Sequence, residues 1–180
     1  MSKQTHIVRK AMLSDAQAIA DMAREVFVKT FGHSTSEENV NNYLKENYST
    51  EAMAKHLQHP DHETLVAVDA GGRIRGYGTL RKNVREPCLD DVPDKIELLR
   101  LYVDASALGR GIGGSIARAL EDLAREQGFK NMWLGVWEGN YNSQKVYEKW
   151  GYKRVGEHIF YLGDEAQTDW ILLKALINDG

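Results

Sequence analysis

Four glycines within six residues, Gly109, Gly111, Gly113 and Gly114, carry the clearest chemical potential in this 180-residue chain. They follow Ile96–Val103 (IELLRLYV), which reads as a buried strand with two charges, Glu97 and Arg100, and a short polar connection, Asp104–Leu108. A helical pattern opens at once behind them, with Ile112, Ile116, Leu120 and Leu123 on one face. Strand, glycine turn and helix start together gather unpaired backbone N–H groups around one point. Glycine lets the chain approach a ligand closely, and the helix N-terminus adds partial positive charge. An anion, most naturally a phosphate, is the expected guest.

Spacing sorts the phosphate-binding turns. A P-loop needs a lysine where Ser115 follows Gly114. Gly109–Gly114 satisfies Gly-x-Gly-x-x-Gly literally, and Glu138 stands at about the distance of a ribose-binding acid. A dinucleotide fold, however, sets its first glycine almost directly after the strand. Here five residues intervene, and the motif lies past the middle of the chain. Leu108-Gly109-Arg110-Gly111-Ile112-Gly113 resembles instead the pyrophosphate motif of the GCN5-related N-acetyltransferases, Gln/Arg-x-x-Gly-x-Gly/Ala, with Leu108 where the family prefers Gln or Arg. Downstream, Leu134-x-Val136-x-x-x-Asn140, then Ser143 and Val146–Tyr152, resembles the second motif of that family, with Tyr152 in place of Phe.

The resemblance implies acetyl-CoA as co-substrate and no metal. Leu101 and Val103 would pair through their backbones with the pantetheine arm, and a strand amide, that of Leu101, would stabilise charge on the thioester oxygen. Leu108, Gly109, Arg110, Gly111, Ile112 and Gly113 would surround the pyrophosphate. Asn140 would reach the pantetheine, and Ser143 would open the helix that closes over it. Tyr147 matches the family's general acid, a phenol of pKa about 10. The acceptor amine, with a pKa of about 10.4, is neutral in only about one molecule in a few thousand at pH 7, so a base is needed. Glu97 is the carboxylate expected beside the thioester, on the same strand face as Leu99, Leu101 and Val103. Its structural alternative is a salt bridge with Arg100 or a loop lysine. Cys88 lies in a loop and is not needed as a nucleophile.

The elements that must position these residues can be read in order. Thr5–Arg9 is a short strand. Ser14 or Asp15 can cap a helix whose apolar face is Ile19, Met22, Ala23, Val26 and Phe27. Ser34–Ser36 caps a second helix, and Ser49-Thr50-Glu51 starts a short third one, ended before Pro60. Thr64–Val68 and Ile74–Leu80 form a hairpin around Asp69–Gly72. The loop Asn83–Lys95 looks the least ordered. After the glycine turn and its helix come the strand Asn131–Trp137, the helix Tyr141–Trp150, and strands Arg154–Leu162 and Thr168–Leu176 around Gly163–Glu165. This pattern alone gives a mixed α/β sheet with one right-handed parallel crossover. By resemblance it is one N-acetyltransferase domain over residues 1–180. Its sheet would be mostly antiparallel, with a central parallel pair splayed around acyl-CoA and helices flanking it.

Length favours one domain, and a formal net charge of −3 supplies no basic field for nucleic acid. A single cysteine, no signal-type leader and no membrane-length apolar run point to a cytoplasmic protein. Monomer and homodimer both fit.

The acceptor is expected to be a small-molecule amine. Trp133–Glu138 and Phe160–Asp169, with Thr30-Phe31, Glu38-Asn39 and Tyr43-Leu44, resemble bacterial spermidine/spermine acetyltransferases of the protease-regulator type. A polyamine would explain acidic residues near the acceptor, with Glu37, Glu38, Glu97 and Asp90, Asp91 and Asp94 as candidates, and His158 and Tyr161 lining that side. Peptide, protein or other small amines are alternatives, as is an acyl-CoA-sensing domain that transfers nothing.

Overall fold

The computed structural model describes residues 5–177. Strand β1 (His6–Lys10) leads through a one-turn 3-10 helix into helix α1 (Ala16–Phe31), followed by α2 (Glu37–Asn47) and α3 (Thr50–Gln58). Strands β2 (His62–Asp69), β3 (Ile74–Arg81) and β4 (Lys95–Val103) precede helix α4 (Ile112–Glu126). Then come β5 (Asn131–Trp137), α5 (Tyr141–Lys149), β6 (Lys153–Leu162) and β7 (Glu165–Ala175). One seven-stranded sheet runs in the order β1-β2-β3-β4-β5-β7-β6. All its pairings are antiparallel except β4 with β5. The expected α/β class and its central parallel pair are both present.

Local chemistry explains the helix starts. The Ser36 and Ser49 side chains accept from the Asn39 and Ala52 amides, capping α2 and α3. Neither Ser14 nor Asp15 caps α1 through its side chain. The Asp15 carboxylate instead accepts from the Met12 amide and from Arg9, tying the end of β1 to the turn that follows. The β6–β7 hairpin is tighter than its acidic turn suggests. Leu162 pairs directly with Glu165, so β7 begins three residues before Thr168.

The sheet is covered on both faces. Helix α4 lies on one, burying Ile112, Ile116, Leu120 and Ala124 against Leu80, Ile96, Leu98, Leu134 and Leu172. Each large aliphatic there contributes about 1.5–3 kcal/mol. Close contact requires Gly76 and Gly78 on β3, because a Cβ at either would stand within 3 Å of the Ile116 or Leu120 side chains. Helices α1, α2 and α3 cover the other face around Ile19, Phe27, Tyr48, Met53 and Tyr77. The loop 83–94 is not loose. Leu89, 1% exposed, packs on Trp133 and Ile171 and pins a 3-10 turn over that face.

Two irregularities in β4 shape the site. Its parallel ladder with β5 lasts only three residues, ending at Glu97↔Trp133, while both strands continue. In addition, Thr79 pairs with Arg100 and Leu80 with Leu98, which leaves Leu99 as a bulge. A bulge inserts one residue and reverses the alternation beyond it.

Candidate active site

The strands part where the chemistry was expected. Among the described residues the edge of β4 that would meet β5 has no strand partner beyond Glu97, so its backbone groups are available to a guest. The Arg100 and Tyr102 carbonyls turn toward β3, lying 3.3 and 3.0 Å from where a Cβ would stand on Gly78 and Gly76. By alternation the Leu101 and Val103 backbone groups face the cleft. At its mouth Gly135 is exposed although Leu134 and Val136 beside it are buried.

The glycine turn closes one end of this cleft. Gly109 and Gly111 sit at φ +78° and +76°, with nothing within 4 Å of where their Cβ atoms would be. Gly111 is the N-cap of α4 and has no side chain with which to cap that terminus. The first amides of α4, those of Ile112 and Gly113 among them, therefore lack a helical acceptor. A phosphate suits such a cradle of left-handed glycines and uncapped amides. Arg110 and Leu108 are exposed on its rim, whereas the Ile112 side chain is buried in the core. The Trp150 ring lies 3.8 Å from the Cβ position of Gly113, which sets the end of α5 beside this turn.

Helix α5 brings the second motif to the same place. Asn140 caps it, its side-chain oxygen accepting from the Ser143 amide at 3.3 Å. One turn later Tyr147 packs edge-on against Trp150 and Tyr152, at the margin of the α4-side core. Burial pushes its phenol up to about 12, so it holds its proton at neutral pH.

Glu97 lies across the sheet from Tyr147. Ile96, Leu98, Leu101 and Val103 all pack toward α4, whereas Tyr102 packs toward α1. The bulge at Leu99 thus puts Glu97 on the face of Arg100 and Tyr102, not on that of Leu101 and Val103 as strict alternation predicts. Its salt-bridge partner is neither Arg100 nor a lysine. It is Arg81, the registered neighbour on β3, whose Nε donates to Oε2 at 2.6 Å. Burial raises the Glu97 carboxyl and Arg81 pulls it back down.

Around Glu97 stand His158, which was expected on the acceptor side, and two carboxylates that were not singled out, Glu86 and Asp169. His158 Nδ1 meets buried Glu86 Oε2 at 2.8 Å, and its Nε2 lies 3.4 Å from Asp169 Oδ2. Burial raises the Asp169 carboxyl to about 6; His158 opposes the shift and Glu97 adds to it. A carboxylate in the polar-apolar alternation of β7 was the available signal for Asp169. For Glu86 the acidic loop was the only one. The remaining acidic candidates lie elsewhere: Glu37 and Glu38 in the first turn of α2, Asp90 paired with Arg85, Asp94 with Lys130, and Asp91 exposed. His158 is where the expectation put it, and Tyr161 is exposed.

Comparison with known proteins agrees with this geometry. The family model described as Acetyltransferase (GNAT) family matches residues 19–152. An uncharacterised N-acetyltransferase from the pepI 3′ region of Lactobacillus delbrueckii subsp. lactis is 32% identical over 157 residues, covering 87% of this chain and 89% of that one. A spermidine N(1)-acetyltransferase of Thermoplasma acidophilum is 24% identical over 149 residues, covering 81% and 87%. Among solved structures, the PaiA N-acetyltransferase of Thermoplasma acidophilum, in complex with coenzyme A, shares the fold. Its TM-score is 0.77 at 24% identity, over 94% of this chain and 98% of that one. The chain belongs to the GNAT acetyltransferase family. It is an acyltransferase with acetyl-CoA as co-substrate, and the parted strands and glycine cradle fit that molecule. Among the described residues no helix is long and apolar enough to cross a membrane.

Proposed function

We propose that the protein acetylates a primary amine of a polyamine such as spermidine or spermine, by direct transfer within a cytoplasmic setting. The observation that carries this reading is the group of three carboxylates, Glu86, Glu97 and Asp169, on the face opposite Tyr147, with Arg81 paired to Glu97 and His158 set between Glu86 and Asp169. A polycation is drawn to such a surface, and the distant similarity to a spermidine acetyltransferase points the same way.

Bound acetyl-CoA supplies an activated acetyl thioester. The residues of the chain divide the remaining work. Amides of Gly109, Arg110, Gly111, Ile112 and Gly113, with Leu108 and the Arg110 charge on the rim, hold the pyrophosphate. Leu101 and Val103 pair with the pantetheine arm, and the Leu101 amide donates to the thioester oxygen. Asn140 keeps its amide nitrogen for the same arm while its oxygen caps α5 over Ser143. On one face an acceptor-side carboxylate takes the amine proton, Glu97 being one of those in place. On the other face Tyr147 delivers its proton to the departing sulfur. The nitrogen–carbon bond forms as the carbon–sulfur bond breaks; of the two protons nitrogen loses, the first passes through the carboxylate to solvent and the second restores the phenol of Tyr147.

One observation favours a second reading, a peptide acceptor. The Arg100 guanidinium lies over the Tyr48 ring at 4.6 Å and has no carboxylate partner among the described residues. An acceptor bearing its own carboxylate would supply one.

Thiol release from acetyl-CoA, measured against spermidine, spermine, small amines, aminoglycosides and peptides, tests the proposal. Spermidine should be turned over, and Tyr147→Phe should slow it by about 10²–10⁴-fold. Preference for peptides would replace the polyamine. Tight acetyl-CoA binding without turnover on any amine would make this a sensing domain.

A further inference from the structure

The Asp169 carboxylate sits at the mouth of the cleft rather than beside it. Its Oδ2 lies 3.1 Å from where a Cβ would stand on Gly135, so a side chain there would have to displace it by a few tenths of an ångström. Gly135 is two positions past Trp133, the last β5 residue paired with β4, and is exposed by the parting of the strands. The Asp169 side chain is 19% exposed, enough to meet an incoming amine, whereas Glu97 is 8% exposed and already committed to Arg81.

We propose that Asp169 is the base that takes the amine proton, and that His158 positions it and links it to Glu86. The transfer is simple: an ammonium N–H bond breaks, the proton goes to an Asp169 oxygen, and the electron pair stays on nitrogen. His158, 35% exposed, then connects this carboxyl to solvent on one side and to the buried Glu86 carboxylate on the other. The other groups around Asp169 are Glu97 on β4 with Arg81 on β3, Tyr43 on α2, and Cys88 beside Glu86. None is an alternative partner for the imidazole Nε2. A carboxyl with a midpoint of about 6 suits the task, since a base works best near the operating pH.

This proposal rests on the acetyltransferase reading but not on which amine is used. The test is the pH dependence of kcat/KM for whichever amine the panel selects, with wild type, Asp169→Asn, His158→Gln and Glu97→Gln. Acetyl-CoA affinity of each is measured by calorimetry to show that the fold persists. Wild type should show an acid limb near pH 6. Asp169→Asn should lose about 10²–10³-fold at pH 7 and the limb with it, and should recover toward pH 10 as the amine sheds its own proton. His158→Gln should move the limb to higher pH, because the imidazole that opposes the upward shift of the Asp169 carboxyl is gone. A limb kept in Asp169→Asn but lost in Glu97→Gln would overturn the proposal and give the role to Glu97. Should no amine be turned over, ¹³C titration of the Asp169 carboxyl still decides: a midpoint near an ordinary 4 refutes a poised base, and one near 6 that rises in His158→Gln supports it.

Discussion

Arg81 and Glu97 face each other across β3 and β4 as a registered pair, 2.6 Å apart, with the carboxylate buried and the guanidinium one-third exposed. Burial raises the carboxyl and Arg81 lowers it, so removing Arg81 leaves a buried charge with less compensation. Arg81→Met should cost about 1–3 kcal/mol at neutral pH, below the range for a fully buried pair because Arg81 reaches solvent. The sign with pH is fixed. A carboxyl whose folded pKa is raised favours the folded state below its unfolded value and loses that advantage as pH rises through the folded one. The gap between wild type and variant should therefore be small at pH 4 and widen toward pH 8. Urea unfolding at both pH values checks this, and an equal gap at each would mean that the pair is not what holds Glu97.

Gly111 offers a clean test of the phosphate cradle. Nothing lies within 4 Å of its Cβ position, so Gly111→Ala introduces no collision, only the cost of a left-handed φ of +76°. That cost is about 1–2 kcal/mol. It should appear as a lower Tm and, as the backbone relaxes and the first α4 amides turn away, as acetyl-CoA affinity reduced about tenfold or more. KM for the amine should stay within about twofold. Calorimetry with coenzyme A makes the measurement, and unchanged affinity would remove this turn from the binding site.

The sequence made the cofactor side far more legible than the acceptor side. Glycines at fixed offsets after a strand are a local signal, because left-handed backbone and an uncapped helix start are decided within a few residues. Gly109 and Gly111 could be placed in the turn for that reason, whereas Tyr147 was named through the resemblance of the second motif. Glu97 could be named but not oriented, since the Leu99 bulge that turns it over comes from pairing with β3, a contact between distant segments. Asp169, His158 and Glu86 come from β7, β6 and the loop before β4, and nothing in their spacing ties them together. The same holds for the loop 83–94. Its prolines and acids suggested looseness, and only the docking of Leu89 on Trp133 and Ile171 gives it order.

His56 sets an acid limit on the fold. Its Nε2 bonds Thr79 Oγ1 at 3.0 Å, and Thr79 is bonded in turn by Thr64. Its Nδ1 lies 3.5 Å from an Arg100 nitrogen, a place for an acceptor and not for a second N–H. The ring is therefore neutral, donating from Nε2. Burial, then Arg100, His62, His59 and Arg81, depress its pKa to about 3. An unfolded histidine takes a proton near pH 6.5. Stability from this group is thus complete above about 6.5 and is lost as pH falls toward 3, at up to about 1.4 kcal/mol per pH unit. His56→Gln should lower stability by about 1–2 kcal/mol at pH 7 through its imperfect hydrogen bonding. It should also flatten the decline between pH 6 and 4, so that the two curves converge or cross in acid. Urea midpoints across that range supply the comparison. Parallel curves would assign the acid sensitivity to other groups and leave His56 with a packing role only.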